Sequence, residues 1–164
     1  MTPVATVPRP ADPIAGVPLT TAARRAQRIA HELHGEAPPS HEGATLEHVL
    51  RVALAVPPSA RSVAFVHDAG SGPGVTPRGV AALLGLDEDE REALELLARR
   101  GAEPPLRQAR RVARAPRGPG RELALLVLGA ELEDRAAHDP EGPAAYDAAR
   151  AVVADAHGAF PGAA

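Results

Sequence analysis

The chain has 164 residues, no cysteine, 2% aromatic residues and a formal net charge of −3. One domain is expected at that length, its core must be aliphatic, and disulfides and thiolate metal sites are excluded. The slight acidic excess argues against a generally basic nucleic-acid-binding protein, and no run approaches the ~18 apolar residues of a membrane span. Between Met1 and Val17 prolines and Asp12 interrupt what a signal peptide would need as a continuous apolar stretch, so a cytoplasmic protein is expected. The sequence contains neither Lys nor Asn, while Ala, Arg, Gly and Pro abound, as under a GC-rich coding bias. Arg in place of Lys is therefore weak evidence for phosphate recognition.

Residues 1–19 are Pro-rich and aperiodic and read as a disordered tail. Thr20 or Thr21 is placed to cap a helix reaching His34, with Gly35 as its stop. After a loop containing Pro38 and Pro39, Leu46, Val49, Leu50, Ala53 and Leu54 fall on one face of a helix over about 45–56. Pro57-Pro58 ends it, and Ser59 is expected to cap a third helix through about Asp68. Its run Val63 to Val66 is apolar nearly all round, which predicts the central buried helix.

The glycines of 69–75 predict a loop. Thr76-Pro77 is a cap followed by proline at the first helical position, with an end at Gly85. Asp87 caps the next helix with Glu90 as capping-box partner, and the end is expected near Gly101. Residues 106–115 form a basic amphipathic stretch, 121–137 a long helix containing the apolar run Leu123 to Leu128, and 143–157 a last helix closed by Gly158. Every strong cap signal is helical and no segment alternates with period two. The expected fold is all-α, one helical domain of seven or eight helices over 20–158, with 1–19 and 159–164 as disordered ends.

The chemistry concentrates in a few side chains. His67-Asp68 ends the apolar run of the third helix, and His48 lies near the start of the second. One helix, a Pro-Pro turn and another helix separate the two histidines, so antiparallel packing would bring the start of the first helix to the end of the second. Two imidazoles and a carboxylate there form an N/O metal site. A carboxylate from the long helix, Glu131 or Asp134, could complete it.

In these motifs the chain resembles the HD-domain family of metal-dependent phosphohydrolases, most of all the branch that hydrolyses guanosine tetraphosphate. Leu46-Glu47-His48-Val49-Leu50-Arg51-Val52-Ala53 is similar to that branch's first histidine helix, and Val63 to Asp68 to its apolar helix ending in His-Asp. Val75-Thr76-Pro77 to Leu84, the turn Ala30-His31-Glu32-Leu33-His34-Gly35 and the segment Leu128 to Arg135 match in the same order, over about residues 22–137. The resemblance implies an HD-type fold and Mn²⁺ held by His48, His67, Asp68 and Glu131. It gives Asp68 and Glu131 the catalytic roles. It implies a nucleotide or other phosphate or pyrophosphate ester as substrate, guanosine polyphosphate among them, and neither nucleic acid nor membrane as partner.

The departures are specific. Ser71 and Gly72 stand where the branch carries a Glu-Asp pair that handles the attacking water, Leu128 replaces a lysine, Glu131 replaces an aspartate, and Pro38-Pro39-Ser40 stands where an arginine is expected. They motivate an alternative: a catalytically inactive HD-fold module that binds a nucleotide or protein partner. A third reading is a helical regulatory protein without metal. For other residues the plainer reading is favoured. Glu131 has Arg135 at i+4 as an ion-pair partner, and His34 suits a helix C-terminus. His31 and His41 read as solvated. Arg107, Arg110, Arg111, Arg114 and Arg117 could receive a nucleotide phosphate, but an Arg-rich solvated face is favoured. Gly70-Ser71-Gly72-Pro73-Gly74 lacks the lysine of a phosphate-binding loop and reads as a connector.

Overall fold

The computed structural model describes residues 14, 16–34, 45–69, 75–139 and 142–158. His41, Ser71, Gly72 and the glycine-rich connector, Pro38-Pro39-Ser40, and residues 1–13 and 159–164 lie outside them. Among the described residues every regular element is helical: α1 (Thr21–His34), α2 (Leu46–Ala55), α3 (Arg61–Val66), α4 (Pro77–Leu84), α5 (Glu88–Leu97), α6 (Pro105–Ala113), α7 (Pro119–His138) and α8 (Asp147–Gly158). Short 3₁₀ turns precede α3 and α8. The all-α expectation holds, and none of these helices is long and apolar enough to cross a membrane.

The helix boundaries follow local chemistry. Thr45 Oγ1 accepts from the His48 N–H at 3.2 Å, and Thr76 Oγ1 from the Gly79 N–H at 3.1 Å, so each supplies a first-turn amide with the acceptor it lacks. Asp87 and Glu90 form the reciprocal capping box. Gly85 ends α4 at φ 66°, a conformation glycine adopts without the Cβ penalty.

Several boundaries differ from expectation; the last helix, for one, begins at Asp147 behind the 3₁₀ turn Pro143–Ala145. Ser59 lies within the 3₁₀ turn and does not cap α3, which starts at Arg61 behind Ala60. The second proline of the Pro-Pro pair opens that tight turn, and Ser59 is spent in it. α5 stops at Leu97 rather than near Gly101, because side chains of α6 take its last carbonyls. Gln108 Nε2 donates to the Leu97 carbonyl at 2.8 Å, and Arg111 donates to those of Leu96 and Ala98 at 2.7 and 3.1 Å. Arg111 is itself held by the buried Glu103 carboxylate at 2.7 Å. The tail is anchored earlier than Thr20: Ile14 is buried in the core, and Val17 and Leu19 pack against it.

The core is aliphatic apart from Phe65 and Tyr146. Its largest fully buried side chains are Phe65, Leu84, Leu94, Leu125, Leu128 and Leu132. α7 is the central post, packed on α5, α8, α2 and α6. At Gly120 a Cβ would come within 2.9 Å of the Asp89 carbonyl oxygen, so only glycine lets α7 start so close to α5. α3 packs between α1 and α2 with every residue from Ser62 to Val66 buried. Its C-terminal end therefore faces α2 and α7, and that is where the chemistry collects.

Candidate metal centre

The Thr45 cap fixes the first turn of α2 and places His48 at its third helical position. The Pro57-Pro58 turn reverses the chain into α3, and His67 and Asp68 follow its last residue. The two imidazole centroids lie 5.4 Å apart. One ligand atom each from His48, His67 and Asp68 lies within 4.8 Å of the other two. Asp68 Oδ2 is 3.2 Å from His67 Nε2 and 3.8 Å from His48 Nε2. A single ion with bonds of about 2.0–2.2 Å to N and O ligands spans separations of this size.

The other nitrogen of each ring is occupied. His48 Nδ1 donates to Asp134 Oδ2 at 2.6 Å, and His67 Nδ1 donates to the Ala64 carbonyl at 2.7 Å. Those bonds place a proton on Nδ1 and turn Nε2 of each ring inward, as the partners of metal-ligating histidines do. His48 Nε2, His67 Nε2 and Asp68 Oδ2 are all buried without a hydrogen-bond partner. Three orphaned polar atoms of complementary type converging on one point are costly to bury unless something is bound there. The donor set fits a divalent cation.

The two rings differ in charge. Burial and the neighbouring His67 lower the pKa of His48, so its ring is neutral. Burial also pushes His67 down, but the Asp68 carboxylate, with help from Glu131, outweighs it and holds the imidazole at about 9. Burial raises Asp68, and the positive charge on His67 and Arg135 more than reverses that, leaving it well below the usual carboxylate range. At 3.2 Å the His67–Asp68 contact is an ion pair without hydrogen-bond geometry.

α7 supplies the remaining wall. Glu131 is buried, but its Oε1 accepts from Arg135 Nε at 2.9 Å, and it stands outside the three-residue group. The Arg135 guanidinium also comes within 3.9 Å of Asp68 Oδ2. Asp134 is committed elsewhere. Besides His48 it takes Arg51 on both oxygens, at 2.5 and 3.0 Å, so it orients the His48 ring and stands outside the converging group. The structure thus brings together His48, His67 and Asp68 and leaves Glu131 tied to Arg135. His31 and His34, in the last turn of α1, take no part. Sequence reasoning missed Arg51, although its position three residues after His48, on the same helix face, was a readable sign. It also missed the Ala64 carbonyl, which no side-chain pattern announces.

No protein-family model, curated protein or solved structure matches this chain.

Proposed function

We propose that the protein is a cytoplasmic HD-type, metal-dependent phosphohydrolase acting on a nucleotide or another small phosphorylated substrate, guanosine polyphosphate among the candidates. One observation carries this reading: the buried, unpartnered His48 Nε2, His67 Nε2 and Asp68 Oδ2 face one point, with both rings fixed from behind. The ordered motifs that resemble the HD family support it. His48, His67 and Asp68 would hold the ion, and Glu131 would join them on release from Arg135. The proposed metal is Mn²⁺, as the resemblance to the HD family implies. A divalent ion there would supply charge to polarise a phosphoryl oxygen and to lower the pKa of an attacking water. The chain's own residues do the rest. Asp134 and Arg51 keep His48 in the ligating tautomer. Arg135, beside Asp68, offers a second positive charge to phosphoryl oxygens.

A second reading rests on that same arginine. Arg135 already neutralises Glu131 and approaches Asp68, as the counter-ion of a site without metal would. Ser71 and Gly72 in place of a carboxylate pair point the same way, toward a module that binds a nucleotide or protein partner without hydrolysis.

Metal content of the purified protein, melting with and without Mn²⁺, and phosphate release from a nucleotide panel separate the two. A ligand bound only by the native state at 100 times its Kd stabilises by about 2.7 kcal/mol, so a clear rise in Tm is expected in wild type and none in His67→Ala. An unchanged wild-type Tm in excess Mn²⁺ would sink the metal reading.

A further inference from the structure

A groove of about 940 Å³ runs beside α6, and none of the metal-site residues lines it. Its lining includes the apolar Leu96, Pro104 and Leu106, the Glu103 carboxylate, and Arg107, Arg110 and Arg114. These three arginines recur at i, i+3 and i+7, which puts them on one helix face. All three are exposed, and their guanidinium groups have no ion-pair or hydrogen-bond partner among the described residues.

Five arginines elsewhere differ, although Arg24, Arg25 and Arg28 on α1 are likewise exposed without a carboxylate partner among the described residues. Arg51, Arg78, Arg91, Arg135 and Arg150 each meet a carboxylate, in a chain whose net charge is −3. Arg111, between Arg110 and Arg114, is neutralised by Glu103 and spent on the carbonyls of α5. α6 thus gathers three uncompensated positive charges beside this groove. Like charges three and four residues apart weaken a helix, and an anion would relieve that strain.

We propose that this groove is a binding site for an organic polyphosphate. Its phosphates would lie on Arg107, Arg110 and Arg114 and its apolar body over Leu96 and Leu106. The planar guanidinium fork matches phosphate oxygens in pairs, and the groove has the size of a small-ligand pocket. Three features favour a small ligand over a nucleic acid. α6 is nine residues long, about 13 Å of rise. No aromatic side chain lines the groove to stack bases. The net negative charge repels a long polyanion.

The test is calorimetric titration of the whole chain, with a chelator present so that no divalent ion bridges protein and phosphate. The probes are ATP, inorganic tripolyphosphate, adenosine and an oligouridylate. ATP and tripolyphosphate should bind, adenosine should not, and affinity should fall with added salt. Arg107→Gln with Arg110→Gln should weaken ATP about tenfold or more, since each lost charge-assisted contact is worth about a factor of ten. The exposed pair Arg24→Gln with Arg28→Gln, on α1, removes the same charge far along the chain and should leave ATP binding unchanged. The assignment is overturned if neither ATP nor tripolyphosphate binds at about 1 mM, a threshold near −4 kcal/mol. It is overturned equally by a matching loss in the α1 pair, by ATP binding without tripolyphosphate, or by the oligouridylate outcompeting tripolyphosphate.

Discussion

His48 Nδ1 and Asp134 Oδ2 lie 2.6 Å apart although 86 positions separate them in the chain. The bond crosses from the first turn of α2 to the last turns of α7, and Arg51 holds the carboxylate from the other side. Asp134 is thus clamped between a ring it orients and a guanidinium that orients it.

Asp134→Asn tests that role. The amide can no longer satisfy Arg51 as an ion, and it can offer the ring a donor where an acceptor is needed. Loss of such an outer partner typically costs about 10–100-fold in metal affinity, and that loss is expected here for Mn²⁺ by calorimetry. Wild-type affinity in the variant would show that His48 needs no such support.

The His67–Asp68 pair predicts how pH acts. The folded pKa of His67 is raised from 6.5 to about 9. Its pair therefore stabilises the metal-free fold fully below pH 6.5, and this contribution is lost as pH rises through about 9. His48, with its pKa lowered, is already neutral across that window. A decline on the order of 2–3 kcal/mol is expected in denaturant titrations between pH 6.5 and 9.5. Because Mn²⁺ must displace the His67 proton, binding at pH 7 should release about one proton and tighten as pH rises. Calorimetry in two buffers of different ionisation enthalpy reads this directly. Absence of proton release at pH 7 would contradict the raised pKa.

Arg135→Gln should tighten Mn²⁺ binding. The substitution removes a positive charge 3.9 Å from Asp68 and frees Glu131 from its partner. A gain of about tenfold is expected, a modest share of the Coulomb term at that distance. If Glu131 becomes the fourth ligand, adding Glu131→Gln should erase the gain. A gain that survives the second change would assign it to charge alone.

Hydrolysis of guanosine tetraphosphate by the wild type should be slow or absent, because neither Ser71 nor Gly72 is a carboxylate. A missing general base commonly costs about 10²–10⁴ in rate. Ser71→Glu with Gly72→Asp should raise phosphate release. Wild-type turnover of about 1 s⁻¹ or more would show that another group handles the water.

Signals that lie within one turn of the chain were readable. The Thr76-Pro77 start, the Asp87–Glu90 box and the stop at Gly85 are local devices, and each stands where the residues placed it. The meeting of His48, His67 and Asp68 was also legible, because a Pro-Pro turn between two amphipathic helices leaves few ways to pack them. What depended on distant partners was not. α5 ends where α6 reaches its carbonyls, and Asp134 stands behind the His48 ring, where Arg51, on another helix, also holds it. Ile14 is one apolar residue in a Pro-rich run, so no periodicity marked it for the core.

α3 has six residues, far fewer than the ~12–15 at which a helix begins to persist alone in water. Its order comes from burial against α1 and α2 and not from its own hydrogen bonds. The dipeptide at its end therefore has no local scaffold, and its position is a property of the whole packed domain. Partial opening that leaves α2 and α7 intact would still scatter the three converging atoms. The amides of Val63 to Val66 should exchange with solvent through the same opening that dissolves the site. In this molecule the packing of α3 and the convergence of the three atoms are one quantity.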